Sequence, residues 1–181
     1  EIDRETRSVT ITINAPSKAP PQDAAAIKAQ GADFWPFAMA RQLDDLILHL
    51  RANETEIGTW VFRTAGSADI IEAADKALLE NQNDWFVRET TLYLKRTLKR
   101  VDVTSRSLVT LVEPGSCYTG TLLELVLAAD RSYMLDGTFE GDDRPAPTLR
   151  PTGMNFGPLP MCNDLTRLES RFLDDAEMVE N

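Results

Sequence analysis

The sequence predicts an α/β fold whose strands are joined by helical crossovers, and three observations predict it. Short β-rich apolar runs alternate along the chain with longer segments whose apolar residues recur at helical spacing. Two of the strand-to-helix junctions are glycine-punctuated turns, one around Gly66 and one from Gly115 to Gly120. A length of 181 residues, 43% of them hydrophobic, suits one domain with one core.

Taken in order, Val9, Ile11 and Ile13 alternate with Thr10 and Thr12, the pattern of a half-buried strand. Pro16, Pro20 and Pro21 then punctuate a loop. From residue 37 to 50, Met39, Leu43, Leu46, Ile47 and Leu50 mark one face of a helix, with Arg41, Asp44, Asp45 and His49 between them. Thr59-Trp60-Val61-Phe62-Arg63 is the next strand, and Ile70, Ile71, Ala74, Leu78 and Leu79 are the apolar face of the helix after it. Residues 81–84 interrupt, and residues 85–98 resume as a basic amphipathic helix. Leu108-Val109-Thr110-Leu111-Val112 reads as a buried strand, residues 122–129 as an apolar helix and Tyr133-Met134-Leu135 as a short strand. Residues 136–153, rich in Gly, Pro and acids, predict a long flexible loop, and residues 163–173 a closing helix.

Composition excludes several classes of function. Nineteen Lys and Arg against 29 Asp and Glu leave a formal charge of −10. That balance opposes phosphate backbones and anionic bilayers, which reward clustered cations, so neither nucleic acid nor membrane is an expected partner. No apolar run approaches the ~20 residues that span a bilayer. The N-terminus has neither a signal peptide nor a starting Met, the expectation for an excised piece of a longer protein. Two cysteines, Cys117 and Cys162, are too few for a disulfide scaffold or a zinc cluster and fit a reduced, cytoplasmic protein.

The segment with the most chemical content is Val112-Glu113-Pro114-Gly115-Ser116-Cys117-Tyr118-Thr119-Gly120-Thr121-Leu122-Leu123-Glu124. It leads from a strand through a tight turn into a helix, whose unpaired N–H groups can hold an anion or oxyanion. Its spacing superficially matches a phosphate-binding loop, but Thr121 stands where the lysine is needed. Glu124 is the one polar residue in the apolar stretch 122–129. Burial there would suit it to proton transfer; the alternative is a carboxylate held by its own helix dipole or paired with an arginine such as Arg131. Ser67 opens the other helix either as an N-cap or as part of a second set of backbone donors. Cys117 as a nucleophile would need a base, and the single histidine, His49, has no sequence link to it. Lys95, Arg96, Lys99 and Arg100 form either a solvated face or a clamp for an anionic ligand. The aromatics at 35–37 and 85–86 read as core or interface anchors.

The two turns, in this order, resemble the crotonase (enoyl-CoA hydratase/isomerase) superfamily. Gly66-Ser67-Ala68-Asp69-Ile70 resembles its A-G-A-D-like turn. Residues 120–130 resemble its glycine-rich turn and E-L-A-x-x-x-D helix, and Asn155-Phe156-Gly157-Pro158 its F-G-x-P-E segment. Residues 58–64, 85–90, 113–117, 128–134 and 154–157 resemble more specifically the second crotonase-like half of a ring-cleaving branch of that superfamily. The resemblance implies a crotonase-like ββα spiral over residues 1–181, one domain and a fragment, ending before the C-terminal helices. It implies thioester chemistry on ring-oxidised benzoyl-CoA, opening the ring with loss of formate. Coenzyme A would enter only as part of the substrate, with no separate cofactor. Matched residue by residue, the oxyanion donors would be the N–H groups of Ala68 and Thr121, and Glu124 would stand at one catalytic glutamate.

The departures from the family pattern carry weight. The turn keeps only Gly120 before Thr121-Leu122-Leu123, and the second acid of the family falls on Pro160, which cannot exchange a proton. The resemblance therefore predicts a degenerate unit that supports a catalytic crotonase half. The alternatives are a self-sufficient hydratase or isomerase built on Glu124, or a non-enzymatic interaction module; a homo-oligomer fits any of the three.

Overall fold

The computed structural model describes residues 1–173, 175 and 177–180. Its centre is a five-stranded sheet in the order β1 (Ile2–Asp3), β2 (Ser8–Asn14), β3 (Thr59–Ala65), β4 (Ser107–Val112) and β5 (Arg131–Met134). β1 pairs antiparallel with β2, and every other pairing is parallel. Helices α1 (Ala24–Gln30) and α2 (Trp35–Asn53) connect β2 to β3, α3 (Ala68–Glu80) and α4 (Trp85–Asp102) connect β3 to β4, and α5 (Leu123–Ala128) connects β4 to β5. The α/β architecture read from the sequence is the one observed, and it is compatible with a crotonase-like fold.

Crossovers between parallel neighbours are ordinarily right-handed, and a run of them in one direction carries the connecting helices to one face of the sheet. The registers agree: Val9, Trp60 and Leu108 lie side by side, as do Ile11, Phe62 and Thr110, and all six are buried. On the other face Thr10, Val61 and Val109 are only partly buried. β4 is thus buried on one face and half-buried on the other, whereas its apolar run reads as a strand buried on both. Across the helical layer, Phe34 and Phe37 of the α2 region meet Phe86 and Tyr93 of α4, with ring centroids 5.8–6.3 Å apart. Asp44 of α2 also accepts from Arg100 and from the Tyr93 hydroxyl of α4. The aromatics at 37 and 86 are core anchors, as read, whereas Trp85 is exposed.

Among the described residues, β1, α1 and a terminal helix are additional to the sequence reading. β1 is two residues long, and α1 follows the proline-rich loop, started by the Asp23 side chain accepting from the Ala26 N–H. The closing helix is shorter than its periodicity predicts: α6 covers Arg167–Arg171. A capping box sets its start, with Thr166 and Glu169 each bonding the other's backbone N–H, while Asp164 turns the chain at φ 65°. A last helix, α7, covers Glu177–Glu180. Among the described residues no helix is long and apolar enough to cross a membrane.

Phe62 is fully buried at the centre of the sheet. Phe62→Ala is expected to cost about 3–5 kcal/mol in urea unfolding, against less than about 0.5 kcal/mol for Leu48→Ala on the exposed side of α2.

Candidate functional site

The two glycine turns meet in the fold. The Gly66 N–H donates to the Gly115 carbonyl at 3.1 Å. The turn after β4 is pinned to β3 by the Cys117 N–H, which donates to the Thr64 hydroxyl, and by the Tyr118 hydroxyl, which donates to the Phe62 carbonyl. It then enters a 3-10 turn over Gly120–Leu122 that leads directly into α5. Gly120 has φ +47°, and a Cβ there would lie 1.6 Å from a carboxylate oxygen of Asp75. Only glycine lets the backbone come this close.

Asp75 is the residue the sequence reading missed. It projects from α3 into the turn, 2% exposed, and its carboxylate accepts from the Thr121 N–H at 2.9 Å, the Thr121 hydroxyl at 2.6 Å and the Thr152 hydroxyl at 2.7 Å. Burial pushes its pKa up to about 6, against the opposing pull of these three donors. The Thr121 N–H, matched by resemblance to an oxyanion donor, is therefore already engaged by a carboxylate of the same chain. A signal for Asp75 exists in the sequence, because it lies on the apolar stripe of α3, four residues after Ile71 and three before Leu78.

Glu124 is held as firmly. Its two oxygens accept from the Asn155 amide and from the Arg167 guanidinium, each at 2.6 Å. Both side chains of the Glu124–Arg167 pair are 1% exposed. The same guanidinium donates to both oxygens of Asp102 at 2.7 and 3.0 Å, and Asn155 also donates to the Gly120 carbonyl. The partner of Glu124 is Arg167 of α6, not Arg131, which is exposed on β5. Burial raises the pKa of Glu124, with Arg167 and Asn155 pulling the other way, and Asp102 is raised by burial likewise.

Ala68 opens α3, with Ser67 in the N-cap position but making no side-chain cap. Asp69 and Glu72, on the same helix, bind Arg150 of the long loop, whose backbone also bridges to Thr119. Cys117 is buried, and that burial pushes its thiol pKa up; His49 lies on an exposed face of α2 beside Asn53. Among the described residues, His49 is not brought to the thiol. On the basic face of α4, Arg100 is spent on Asp44 and Arg96 stacks over Tyr93. One cavity, of about 620 Å³, is bounded by Phe156, Leu165, Phe172 and Leu173, and another, of about 200 Å³, lies between β2 and α2. Neither is lined by Ala68, Thr121 or Glu124.

Two outcomes follow from this geometry. Arg167→Ala strands two buried carboxylates and is expected to cost about 3–5 kcal/mol in chemical unfolding, whereas Arg171→Ala on the exposed side of α6 changes little. Asp75 has a folded pKa of about 6, above its ordinary value of 3.8. Its contribution is therefore fully present below about 3.8 and lost as pH rises through about 6. Relative to Asp75→Asn, the wild type is expected to gain about 2 kcal/mol between pH 7 and pH 4. A flat difference, or one of opposite slope, in paired unfolding curves contradicts this assignment.

No protein-family model matches the chain. Across 178 residues, 98% of its length, it is 48% identical to the benzoyl-CoA-dihydrodiol lyase of Aromatoleum evansii. The chain spans 31% of that protein's length, so what it resembles is one part of a larger lyase.

Proposed function

We propose that residues 1–181 are one crotonase-like unit of a larger benzoyl-CoA-dihydrodiol lyase, a carbon–carbon lyase opening ring-oxidised benzoyl-CoA. Within it, this unit supports the enzyme and does not itself perform the chemistry. The identity to the Aromatoleum evansii lyase supports the first statement. The observation that carries the second is the Asp75 carboxylate on the Thr121 N–H.

Stabilising a thioester enolate requires donors aimed at the developing oxyanion and not committed elsewhere. Here an acyl oxygen approaching Thr121 would have to displace a buried carboxylate, and would meet that negative charge if it did not. A general base likewise needs a lone pair within reach of the substrate proton. Glu124 spends its oxygens on Arg167 and Asn155, away from either cavity. Pro160 at the second acid position points the same way. These contacts oppose the reading of a self-sufficient hydratase based on Glu124 and the Ala68 and Thr121 amides. Coenzyme A then belongs to the substrate of the whole enzyme, and the direct partner of this unit is the catalytic half.

The isolated chain is expected to show no turnover of the benzoyl-CoA dihydrodiol. Grafted in place of the matching part of the Aromatoleum evansii lyase, it is expected to sustain activity. In that graft Glu124→Gln should leave kcat per folded enzyme within about twofold, whereas loss of a working general base costs on the order of 10²–10⁴-fold. A loss of that size, with folding intact, contradicts the supporting role.

A further inference from the structure

Strand β5 is exposed at all four residues, although the Ser132 hydroxyl reaches the Val126 carbonyl at the end of α5. Met134 continues the row of Val112, which is fully buried, yet Met134 is 49% exposed. Tyr133 continues the row of Leu111 on the opposite face and is 57% exposed. All four β5 residues are exposed, and on its outer side the strand has no neighbour among the described residues. Parallel strands ordinarily lie in sheets with both faces covered. Downstream, Phe139 and Leu149 of the long loop are exposed as well.

The two edges of the sheet differ in a telling way. The β2 edge is closed by β1, a two-residue antiparallel strand flanked by Glu1, Arg4 and Glu5, and charged, short edges are how soluble proteins blunt unwanted pairing. β5 carries its one charge, Arg131, at its start, has no proline or lysine, and ends on two large apolar side chains with no strand beyond them among the described residues.

We propose that β5 is the docking edge of this unit, and that its occupant is an extended strand with apolar residues on both faces, supplied by the remainder of the longer lyase chain. This rests on the reading of the chain as a unit of that enzyme. The size of the edge selects the occupant. Four residues supply far less than the ~1,200–2,000 Å² that a stable association of separate proteins buries. A strand tethered in the same polypeptide needs no such area, because its effective concentration reaches the millimolar range. About two-thirds of the related lyase lies outside the part this chain matches, which leaves ample chain to provide it. Main-chain hydrogen bonds to the open edge would fix the register, and Tyr133 and Met134 would supply the side-chain contacts.

The test is hydrogen exchange at those β5 amides within residues 131–134 that face away from β4, in the isolated chain and in the grafted lyase. The expected result is fast exchange in the isolated chain at every concentration and exchange slowed about tenfold or more in the graft. Fast exchange in both, with the graft folded, overturns the proposal. Protection that appears in the isolated chain with rising concentration also overturns it, because the occupant is then a second copy. Should the graft not fold, the corresponding strand of the natural Aromatoleum evansii lyase is read instead, and fast exchange there overturns the proposal. A catalytic Glu124 would contradict the supporting role and leave the β5 result standing, so the two failures are distinguishable.

Discussion

The buried charge network beneath α5 depends on one guanidinium. Arg167 reaches from α6 into the interior and joins Asp102 at the end of α4 to Glu124 in α5. One positive charge faces two carboxylates, Glu124 fully buried and Asp102 at the rim of the interior, and removing it leaves both without their cation. Arginine suits this place better than lysine, because its planar fork serves both partners at once without changing protonation state. The six-residue helix α5 is too short to be stable alone and takes its position from these contacts and from its apolar side chains.

A second constraint follows from the first. With Glu124 fixed, Asn155 is fixed too, and its amide ties Glu124 to the Gly120 carbonyl. The turn then presents the Thr121 N–H to α3, where Asp75 takes it together with the hydroxyls of Thr121 and Thr152. The resemblance read from the sequence matches the Thr121 N–H to an oxyanion donor; the carboxylate bonded to it is that of Asp75. The closeness of Gly120 to Asp75 leaves no room for a side chain, so the turn and the carboxylate depend on each other.

Much of this architecture was legible in the sequence, because periodicity reports on which face of an element is buried. Val9, Ile11 and Ile13, or Met39, Leu43 and Leu50, declare strand and helix by spacing alone. The two glycine turns and the solitary Glu124 were legible for the same reason, as breaks in a local pattern. The partners of Glu124 were not. Arg167 lies 43 residues downstream in a weakly periodic segment, and only the tertiary fold brings it beneath α5. Asp75 could have been flagged as a carboxylate on the apolar stripe of α3, yet its target, an amide 46 residues away, has no local signature. α1 escaped notice because its seven residues carry a single buried side chain, Ile27.

The proposed supporting role requires that the Thr121 amide serve Asp75 and no substrate. The ¹⁵N–¹H resonance of Thr121 reads it directly, followed in one series against pH and in another against benzoyl-CoA. The account predicts a shift that titrates with Asp75 near pH 6, disappears in Asp75→Asn and does not respond to benzoyl-CoA. A saturable shift with benzoyl-CoA at neutral pH, accompanied by loss of the Asp75 titration, would contradict it.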